Sequence, residues 1–570
     1  MFLTLARRQI TSLQPSATNT GIRMSHLEVG LLVLLAMAGG LLVTSRLLRI
    51  PYPIVLVVGG LALSFVPNVP GFELPPDIIL YLILPPLLFY AGFIYQTRRL
   101  KNNAISIGLL AFGLVVACTA GVAAVAHALG MSWGPAFVLG AVLSPTDPVA
   151  ATTITARLHA PHRVTAIIEG ESLVNDGTGL TIYGAAVATV VTGHFSASQL
   201  ALNFPVTILG GVAVGLAGAW LMSWALLRRL GPGYQNTALT LFCAYLTYLP
   251  AEILGVSGIL AAVTAGIYLG SRVPLDSAPT DRLSGQAFFA ILVYLINVLV
   301  FFLMGLQLTS ILSRIQAYPT PTLILWTVLL CVVVIALRLT WVLGVGHLLF
   351  RFGPAQRMRN AHPPWRQSLV IGWAGMRGAV SLAAAQAVPL QLASGAAFPA
   401  RDLILFFTFT LIIVTVVLQG LTLPLLVRGL GLSGHADTEE TEVRRARLEG
   451  AQAALKRIDE ELRSADWLSE AAASPLRDLY THRYYALTQK LNTDGNDAGN
   501  DDNHGDDDDD NDYAAQEAAL QRLRHELISV ERQTLLRAYE KGKLSDRAMR
   551  RVQRHLDLEA SRLGSHHPGA

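Results

Sequence analysis

The chain has 570 residues, of which 52% are hydrophobic and only 14% are charged. Soluble domains contain about 25% charged residues, so this composition excludes an ordinary soluble protein. The net charge of +4 at pH 7 gives no indication of a nucleic-acid partner. We therefore predict an all-α polytopic membrane protein, and no sequence feature indicates a cofactor or a resident metal.

Residues 1–25 form an N-terminal extension with three arginines, Arg7, Arg8 and Arg23, and no acidic residue. This composition is typical of a mitochondrial presequence, but it also fits a chain whose translation begins at Met24. We favour the start at Met24, because the first apolar run follows it directly.

Residues 26–430 contain repeated apolar runs of membrane-spanning length. Because the bilayer core has no water to satisfy exposed backbone groups, these runs are expected to be helices. We predict about 13 transmembrane helices, at about 26–46, 52–67, 78–97, 104–129, 134–156, 165–192, 204–227, 236–250, 253–271, 284–312, 321–350, 367–390 and 402–427.

Basic residues are distributed unequally between the predicted loops. The loops after odd-numbered spans contain 15 Lys and Arg residues, whereas those after even-numbered spans contain only two, Arg314 and Arg401. Since cytoplasmic loops carry an excess of positive charge, the N-terminus is expected outside and the C-terminus in the cytoplasm of a cell-membrane protein.

The composition changes sharply after Arg428. Residues 431–491 are charged and have a helical pattern, residues 492–512 form an acidic linker of low complexity, and residues 513–570 return to a helical pattern. The linker is expected to be disordered, with weak cation binding as the alternative. We interpret this tail as a cytoplasmic regulatory or assembly region.

The sixth predicted span contains the sequence "EGESLVNDGTG", residues 169–179. Acidic residues at bilayer depth are costly and usually face a water-filled cavity or an ion pathway. On a helix, Ser172 and Asp176 share one face, and Glu171 and Asn175 share a second face rotated by about 100°. Oxygen ligands suit hard cations, and burial of the Asp176 carboxylate also favours protonation, so a proton and a cation can compete for it.

The fifth span contains "LSPTDPVAATT", in which Pro145 and Pro148 are expected to break the helix. Non-helical backbone at this depth is tolerated where it lines a cavity, so Thr146 and Asp147 are expected in an unwound segment. Asp147 can also simply cap the second half of the helix, and both roles can coexist.

The twelfth span contains "GWAGMRGAVSLAAAQ", with Arg377 between two glycines. A buried cation needs a partner, for which Glu171 is the first candidate and Glu169 the second. We favour a structural salt bridge between Glu171 and Arg377 over a role in gating. Arg338 in span 11 is interpreted as structural or snorkelling, and Glu252 as interfacial.

Spans 5 and 12 are both interrupted, and they are seven spans apart. Because seven is odd, corresponding helices cross the membrane in opposite directions, which predicts two inverted six-helix repeats joined by span 7. Paired interrupted helices in corresponding positions indicate a transporter site near the midplane.

The sequences "SPTDPVAA", "EGESLVNDGTG" and "GMRGAVSLAAA", in this order, resemble those of the sodium/proton antiporters in the monovalent cation:proton antiporter superfamily. The pair Asn175–Asp176 is similar to the branch with an Asn-Asp motif. The resemblance covers about residues 26–430 and implies crossed, unwound helices, a moving six-helix core and a homodimer. The end of the tail also looks like the C-terminus of bacterial members.

The resemblance implies roles for particular residues. It assigns cation and proton binding to Asp176, support of that site to Asn175, and cation ligation to Ser172 and to Thr146, the latter through its backbone carbonyl. It places Asp147 in the unwound segment. It also implies the buried salt bridge of Glu171 and Arg377.

One residue departs from the pattern of the family. Many relatives carry a carboxylate where this chain has Tyr90, so any ligand or pH-sensing role of that acid is absent or altered here.

These observations predict a secondary active transporter, not an enzyme, that exchanges Na⁺ for H⁺ by alternating access. One carboxylate exchanging one monovalent cation for one proton predicts electroneutral 1:1 exchange. The alternatives are exchange of K⁺ or another cation such as Li⁺ for H⁺, and a cation channel, in which broken helices and acidic residues would line a pore.

Overall fold

The structure is a computed structural model that describes residues 35–564, with gaps at 49, 67–74, 76, 96, 194–196, 230–233, 277–278, 317, 346–347, 349–362, 393, 434–435, 465–467, 493–512, 541–543 and 545. The N-terminal extension, residues 1–25, and nearly all of the acidic linker, residues 492–512, therefore lie outside the described residues. The described part is helical, and its β-type pairing is confined to one isolated bridge between Gln391 and Ala397.

Helices overlap every predicted span. Two of them are interrupted, and their halves are labelled a and b. The helices are α1 (Leu35–Leu48), α2 (Tyr52–Ser64), α3 (Ile78–Ile94), α4 (Leu100–Ala128), α5a (Trp133–Leu143), α5b (Pro148–Arg157), α6 (His162–Thr192), α7 (Ala197–Arg229), α8 (Tyr234–Ile253), α9 (Gly258–Asp276), α10 (Pro279–Leu306), α11 (Thr320–Val345), α12a (Trp365–Trp373), α12b (Ala379–Gln386) and α13 (Arg401–Gly429).

The chain is an all-α polytopic membrane protein, as its sequence predicts. Within the described residues, six helical segments are long and apolar enough to cross a membrane by length and composition, and α1, α2 and α3 are shorter apolar helices. The number of helices that cross the bilayer and their arrangement in inverted repeats remain predictions.

The outer surface of this region is apolar. Large hydrophobic side chains such as Leu209 and Trp220 on α7 and Ile324 and Leu325 on α11 are more than half exposed. Contiguous exposed apolar surface of this kind is rare on soluble monomers, so these side chains are suited to contact with lipid.

Glycines allow the backbones of α3 and α9 to approach closely. A Cβ atom at Gly266 would clash with the backbone carbonyl of Phe89, and one at Gly270 would clash with the backbone of Phe93. Small residues at such positions allow the close van der Waals packing that holds helices together in a membrane.

The residues after α13 form a separate helical bundle. Its helices are α14 (Ala436–Ser464), α15 (Glu470–Asn492), α16 (Tyr513–Glu540) and α17 (Asp546–Gly564). Two small apolar clusters form its core, one of which joins α14 to α16 and α17, and the other α14 to α15 and α16. We call these four helices the C-terminal bundle.

We expect the substitution Gly266→Ala to destabilise the protein by about 1–3 kcal/mol, because its methyl group would force the backbones of α3 and α9 apart. Gly108→Ala on α4 is the control, since a Cβ atom there meets no other atom within 4 Å. Thermal unfolding of the purified protein, followed by size-exclusion fluorescence, measures the difference. Equal midpoints for both variants would contradict the close approach.

Candidate ion-binding site

The interrupted segments of α5 and α12 cross each other. Helix α5a ends at Leu143 and α5b begins at Pro148, while α12a ends at Trp373 and α12b begins at Ala379. The backbone N–H of Asp147 donates to the carbonyl of Met376 at 2.8 Å, which joins the two interruptions directly. A Cβ atom at Gly378 would overlap the Asp147 side chain, so this position requires glycine.

Asp147 lies where two half-helices begin. Its carboxylate accepts a hydrogen bond from the backbone N–H of Val149 at 2.8 Å, and Gly378, which directly precedes α12b, packs against the same side chain. The first N–H groups of a helix have no intrahelical partners and carry partial positive charge. Asp147 therefore caps α5b and lies beside the start of α12b, and it lines the cavity described below at the same time.

Arg377 lies where the other two half-helices end. Its Nε donates to the carbonyl of Leu143, the last residue of α5a, at 3.0 Å, and its guanidinium also donates to the carbonyl of Gly375. The side chain is buried. The cation thus satisfies carbonyl groups that the interruptions leave without helical partners.

Glu171 forms its ion pair with Arg338 on α11. The two guanidinium nitrogens of Arg338 reach the two carboxylate oxygens, one of them at 2.7 Å, and both side chains are only 1% exposed. Arg338 also donates to the carbonyls of Ile371 and Gly372 near the end of α12a, at 3.2 Å each. A bidentate pair with further hydrogen bonds is the arrangement that compensates the burial of two charges.

The predicted salt bridge between Glu171 and Arg377 is therefore wrong, because Glu171 pairs with Arg338 instead. The prediction that Arg338 snorkels is wrong as well, because its side chain is buried. Arg377 is engaged by carbonyl groups at the crossing, and Arg338 fills the position opposite Glu171. The signal was present in the sequence, because Arg338 is a lone cation in an apolar helix and needs an acidic partner. Spacing along one chain does not show which of two distant arginines that partner meets.

A hydrogen-bond chain fixes the unwound segment to α6. Asn175 Nδ2 donates to Thr146 Oγ1 at 2.9 Å, and Thr146 Oγ1 donates to Glu171 Oε1 at 3.2 Å. All three side chains are buried. The hydroxyl of Thr146 is thus used within the protein, whereas Asn175 Oδ1 has no hydrogen-bond partner among the described residues and can still accept one.

Asp176 and Ser172 face a cavity of about 310 Å³. Thr146 and Asp147 also line it, so the structure brings together the four oxygen-bearing residues that the sequence places at the site. Asp176 is 6% exposed. No hydrogen bond or ion pair to its carboxylate is found within the described residues, in contrast to the carboxylates of Asp147 and Glu171.

The opposite wall of this cavity comes from α3 and α10. It is largely apolar, but Tyr90, Tyr294 and Asn297 lie in it. Tyr90 stacks on Phe289 with ring centroids 5.3 Å apart. Tyr294 and Asn297 were not identified from the sequence, because a tyrosine or asparagine in an apolar helix has no distinctive pattern there.

A second cavity of about 580 Å³ lies on the other side of the Asp176–Gly177 peptide. Gly177 lines it, together with Tyr81 near the start of α3 and Glu252 and Ser257 at the connection from α8 to α9. Glu252 accepts a hydrogen bond from the backbone N–H of Gly258 at 3.0 Å, which closes this connection.

The two cavities open at opposite ends of α3. Tyr81, near the start of that helix, lines the second cavity, whereas Ile94 and Tyr95 at its end line the cavity of Asp176. Asp176 lines one recess and its neighbour Gly177 lines the other, and the two recesses extend toward opposite ends of α3.

This arrangement can bind one small cation or one proton at a time. A single carboxylate without a protein partner faces the cavity, and hydroxyl and carboxylate oxygens surround it. Within the described residues no group of three or more His, Cys, Asp and Glu side chains is placed to hold a metal ion. A pair of interrupted helices that meet beside a buried ion site is typical of secondary transporters.

Comparison with known proteins identifies the family. Residues 32–429 match the family model described as "Sodium/hydrogen exchanger, transmembrane". The chain therefore belongs to the sodium/hydrogen exchanger family, which is a family of transporters.

Related sequences and a solved structure agree with this assignment. The chain is 32% identical over 555 residues to an uncharacterized Na⁺/H⁺ exchanger of Mycobacterium tuberculosis, covering 94% of this chain and 97% of that protein. It is 31% identical over 489 residues to the low-affinity Na⁺/H⁺ antiporter NhaS1 of Synechocystis, covering 84% and 88%. The fold is similar to that of the sodium proton antiporter MjNhaP1 from Methanocaldococcus jannaschii, with a TM-score of 0.58 and 21% identity, covering 71% of this chain and 99% of that chain.

The pairing of Glu171 with Arg338 predicts non-additive losses of stability. Arg338→Met and Glu171→Gln are each expected to cost about 3–5 kcal/mol, because each leaves a buried charged or polar group without its partner. The double variant should lose less than the sum of the two single variants. Thermal midpoints of the four proteins measure this coupling, with Asp402→Asn, an exposed carboxylate on α13, as the control. Fully additive losses would contradict the ion pair.

Proposed function

We propose that this protein exchanges Na⁺ for H⁺ across a cell membrane by alternating access, with the Asp176 carboxylate as the shared binding group. The observation that carries this proposal is the position of Asp176, which is buried, without a protein partner and between two cavities. Ser172, Asn175, Thr146 and Asp147 surround it.

Competition follows from the electrostatics of the site. A carboxylate this deeply buried is unfavourable as a bare anion, so a bound proton or a bound monovalent cation is needed to neutralise it. Since one negative charge is compensated by either partner, binding of one displaces the other. The loaded, neutral site then moves relative to the wall formed by α3 and α10.

The polar residues around Asp176 have different parts in this mechanism. Ser172, one helical turn away, supplies an oxygen ligand. Asn175 and Thr146 hold the unwound segment against α6, so that the carboxylate and the free backbone groups keep their positions. Asp147 caps α5b and adds negative charge to the cavity.

The names of the related proteins support Na⁺ over the alternative of K⁺ as the exchanged cation. A channel is a weaker alternative, because the carboxylate lies between two separate cavities instead of in one continuous pore. Like other members of its family, the protein is proposed to be a transporter and not an enzyme. A homodimer in the cell membrane, with the N-terminus outside and the C-terminal bundle in the cytoplasm, completes the proposal.

Asp176→Asn is expected to abolish cation-induced proton movement, because an amide binds neither a proton nor a cation in exchange. Reconstituted protein with an internal pH dye gives the measurement, with Na⁺, Li⁺ and K⁺ added in turn. Glu169→Gln is the matched control, since it makes the same chemical change on the same helix and cavity and should retain exchange. Normal exchange by Asp176→Asn would refute the mechanism.

Exchange is expected to be electroneutral, because Asn175 adds no second titratable group beside Asp176. If each cycle moved one net charge across the membrane, the free energy of transport would change by about 2.3 kcal/mol per 100 mV of membrane potential. Initial exchange rates in proteoliposomes should therefore be the same when valinomycin and K⁺ gradients set the potential to positive, zero or negative values. A steep dependence on potential would exclude 1:1 exchange, and Na⁺ current without proton counterflow would favour a channel.

A further inference from the structure

A buried ion pair joins the C-terminal bundle to the transmembrane helix α10. Arg282, in the first turns of α10, donates from Nε to Asp557 Oδ2 on α17 at 3.1 Å and from a second nitrogen to Oδ1. Both side chains are only 4% exposed. Helices α10 and α17 are in direct contact around this pair.

Further hydrogen bonds fix both partners of this ion pair. Arg532 on α16 donates to Asp557 Oδ1 at 2.8 Å, so two arginines from different parts of the chain share one carboxylate. On the membrane side, Asn236 at the start of α8 donates to Asp281 Oδ2 at 2.8 Å, which holds the first turn of α10 in place. We call Arg282, Asp557 and Arg532 the docking triad.

The docking triad is suited to an all-or-none contact. Its charges are removed from water, so their burial is favourable only while the planar guanidinium of Arg282 meets both carboxylate oxygens. If α17 moves by a small distance, buried charges lose their partners, and partial docking is therefore unfavourable. The docked state is the one that the structure describes.

Helix α10 connects the docking triad to the ion cavity. Ala290, Val293, Tyr294 and Asn297 of this helix line the cavity of Asp176. Asn297 follows Arg282 by 15 residues, which corresponds to about 22 Å along one continuous helix. A force on the first turns of α10 is thus transmitted through a rigid element to the wall opposite Asp176.

The bundle lies at the end of the molecule toward which this cavity opens. The second cavity lies near Ser257, where α9 begins, so the end of α9 and the start of α10 lie at the other face. The cavity of Asp176 extends toward Ile94 and Tyr95, away from Ser257. The structure therefore combines a docked bundle with a carboxylate that is accessible from the side of the bundle.

We propose that the first turns of α10 are a docking surface for the chain's own C-terminal bundle, and that docking through Asp557 stabilises the state in which Asp176 faces the bundle. This inference rests on the proposed exchange function. Loss of the docking triad lowers the population of that state. Because the apparent affinity of a site falls with the fraction of molecules competent to bind, cations on the bundle side then bind more weakly.

Asp557→Asn tests the proposal in the full-length protein. In everted membrane vesicles, which present the bundle side to the medium, we expect the half-saturating Na⁺ concentration to rise at least about fivefold, the lower end of ordinary allosteric coupling. Arg282→Gln should have a similar effect, and the double variant should be no worse than either single variant. The half-saturating Na⁺ concentration on the opposite side, measured in right-side-out vesicles, should not rise.

Asp459→Asn is the matched control. Asp459 forms an ion pair with Arg477 within the bundle, at 3.2 Å, and both side chains are partly exposed. Among the described ion pairs, Asp459 has none with α10. The substitution Asp459→Asn makes the same chemical change in the same bundle, and its half-saturating Na⁺ concentration should equal that of the wild type. Amide hydrogen exchange gives a second readout, in which Asp557→Asn, but not Asp459→Asn, should accelerate exchange in α17.

Several results would overturn the proposal. If Asp557→Asn and Arg282→Gln have the same half-saturating Na⁺ concentration as the wild type, docking does not bias the state of the site. The same conclusion follows if the half-saturating concentration changes equally from both sides of the membrane. If Asp557→Asn does not yield folded protein, Arg282→Lys is tested instead, because it keeps the charge but loses the bidentate geometry. An unchanged half-saturating Na⁺ concentration in Arg282→Lys would reject the coupling. Absence of Na⁺/H⁺ exchange in the wild type would instead refute the proposed function.

Discussion

An interrupted helix inside a bilayer leaves backbone N–H and C=O groups without intrahelical partners, and no water is available in the lipid to replace them. Two such interruptions cross in this protein, and the rest of the site depends on how their four helix ends are satisfied. Asp147 accepts from the N-terminus of α5b and lies beside that of α12b, and Arg377 donates to carbonyls at the end of α5a and just after the end of α12a. One acid and one base thus stabilise the crossing, each at the helix ends of opposite polarity.

The carboxylates near this crossing differ in what surrounds them, and this difference separates structure from function. Glu171 is neutralised by a bidentate arginine, and Asp147 accepts from the backbone N–H of Val149. Asp176 has neither kind of partner within the described residues, although it is also buried. A charge in that position is tolerated only when something mobile compensates it, and a proton or a monovalent cation meets that requirement.

The positions of the two cavities connect this chemistry to transport. Asp176 and Gly177 are neighbours on α6, yet they line different recesses, which extend toward opposite ends of α3. In the proposed mechanism, α6 and the interrupted helices move relative to α3 and α10 and so change which recess reaches the carboxylate. Helix α10 belongs to the wall that faces the site, and it also carries the contact with the C-terminal bundle. Regulation by that bundle therefore needs no separate pathway through the core.

The sequence by itself determined the class of protein and the approximate positions of the helices, and it singled out Asp176 as the candidate binding carboxylate. Length and apolarity decide whether a segment is stable in lipid, and the prolines of "SPTDP" act on their own helix, so these features are local and are visible in one chain. Family motifs placed Asp176, Ser172, Thr146 and Asp147 together before their geometry was known. Only the tertiary structure decided that Glu171 meets Arg338 and that Arg377 meets carbonyl groups, because a buried charge requires a partner without specifying which one. The same holds for Asn297 in the cavity wall and for the pairing of Asp557 on α17 with Arg282 on α10, since contacts between residues far apart in the sequence depend on how the helices pack.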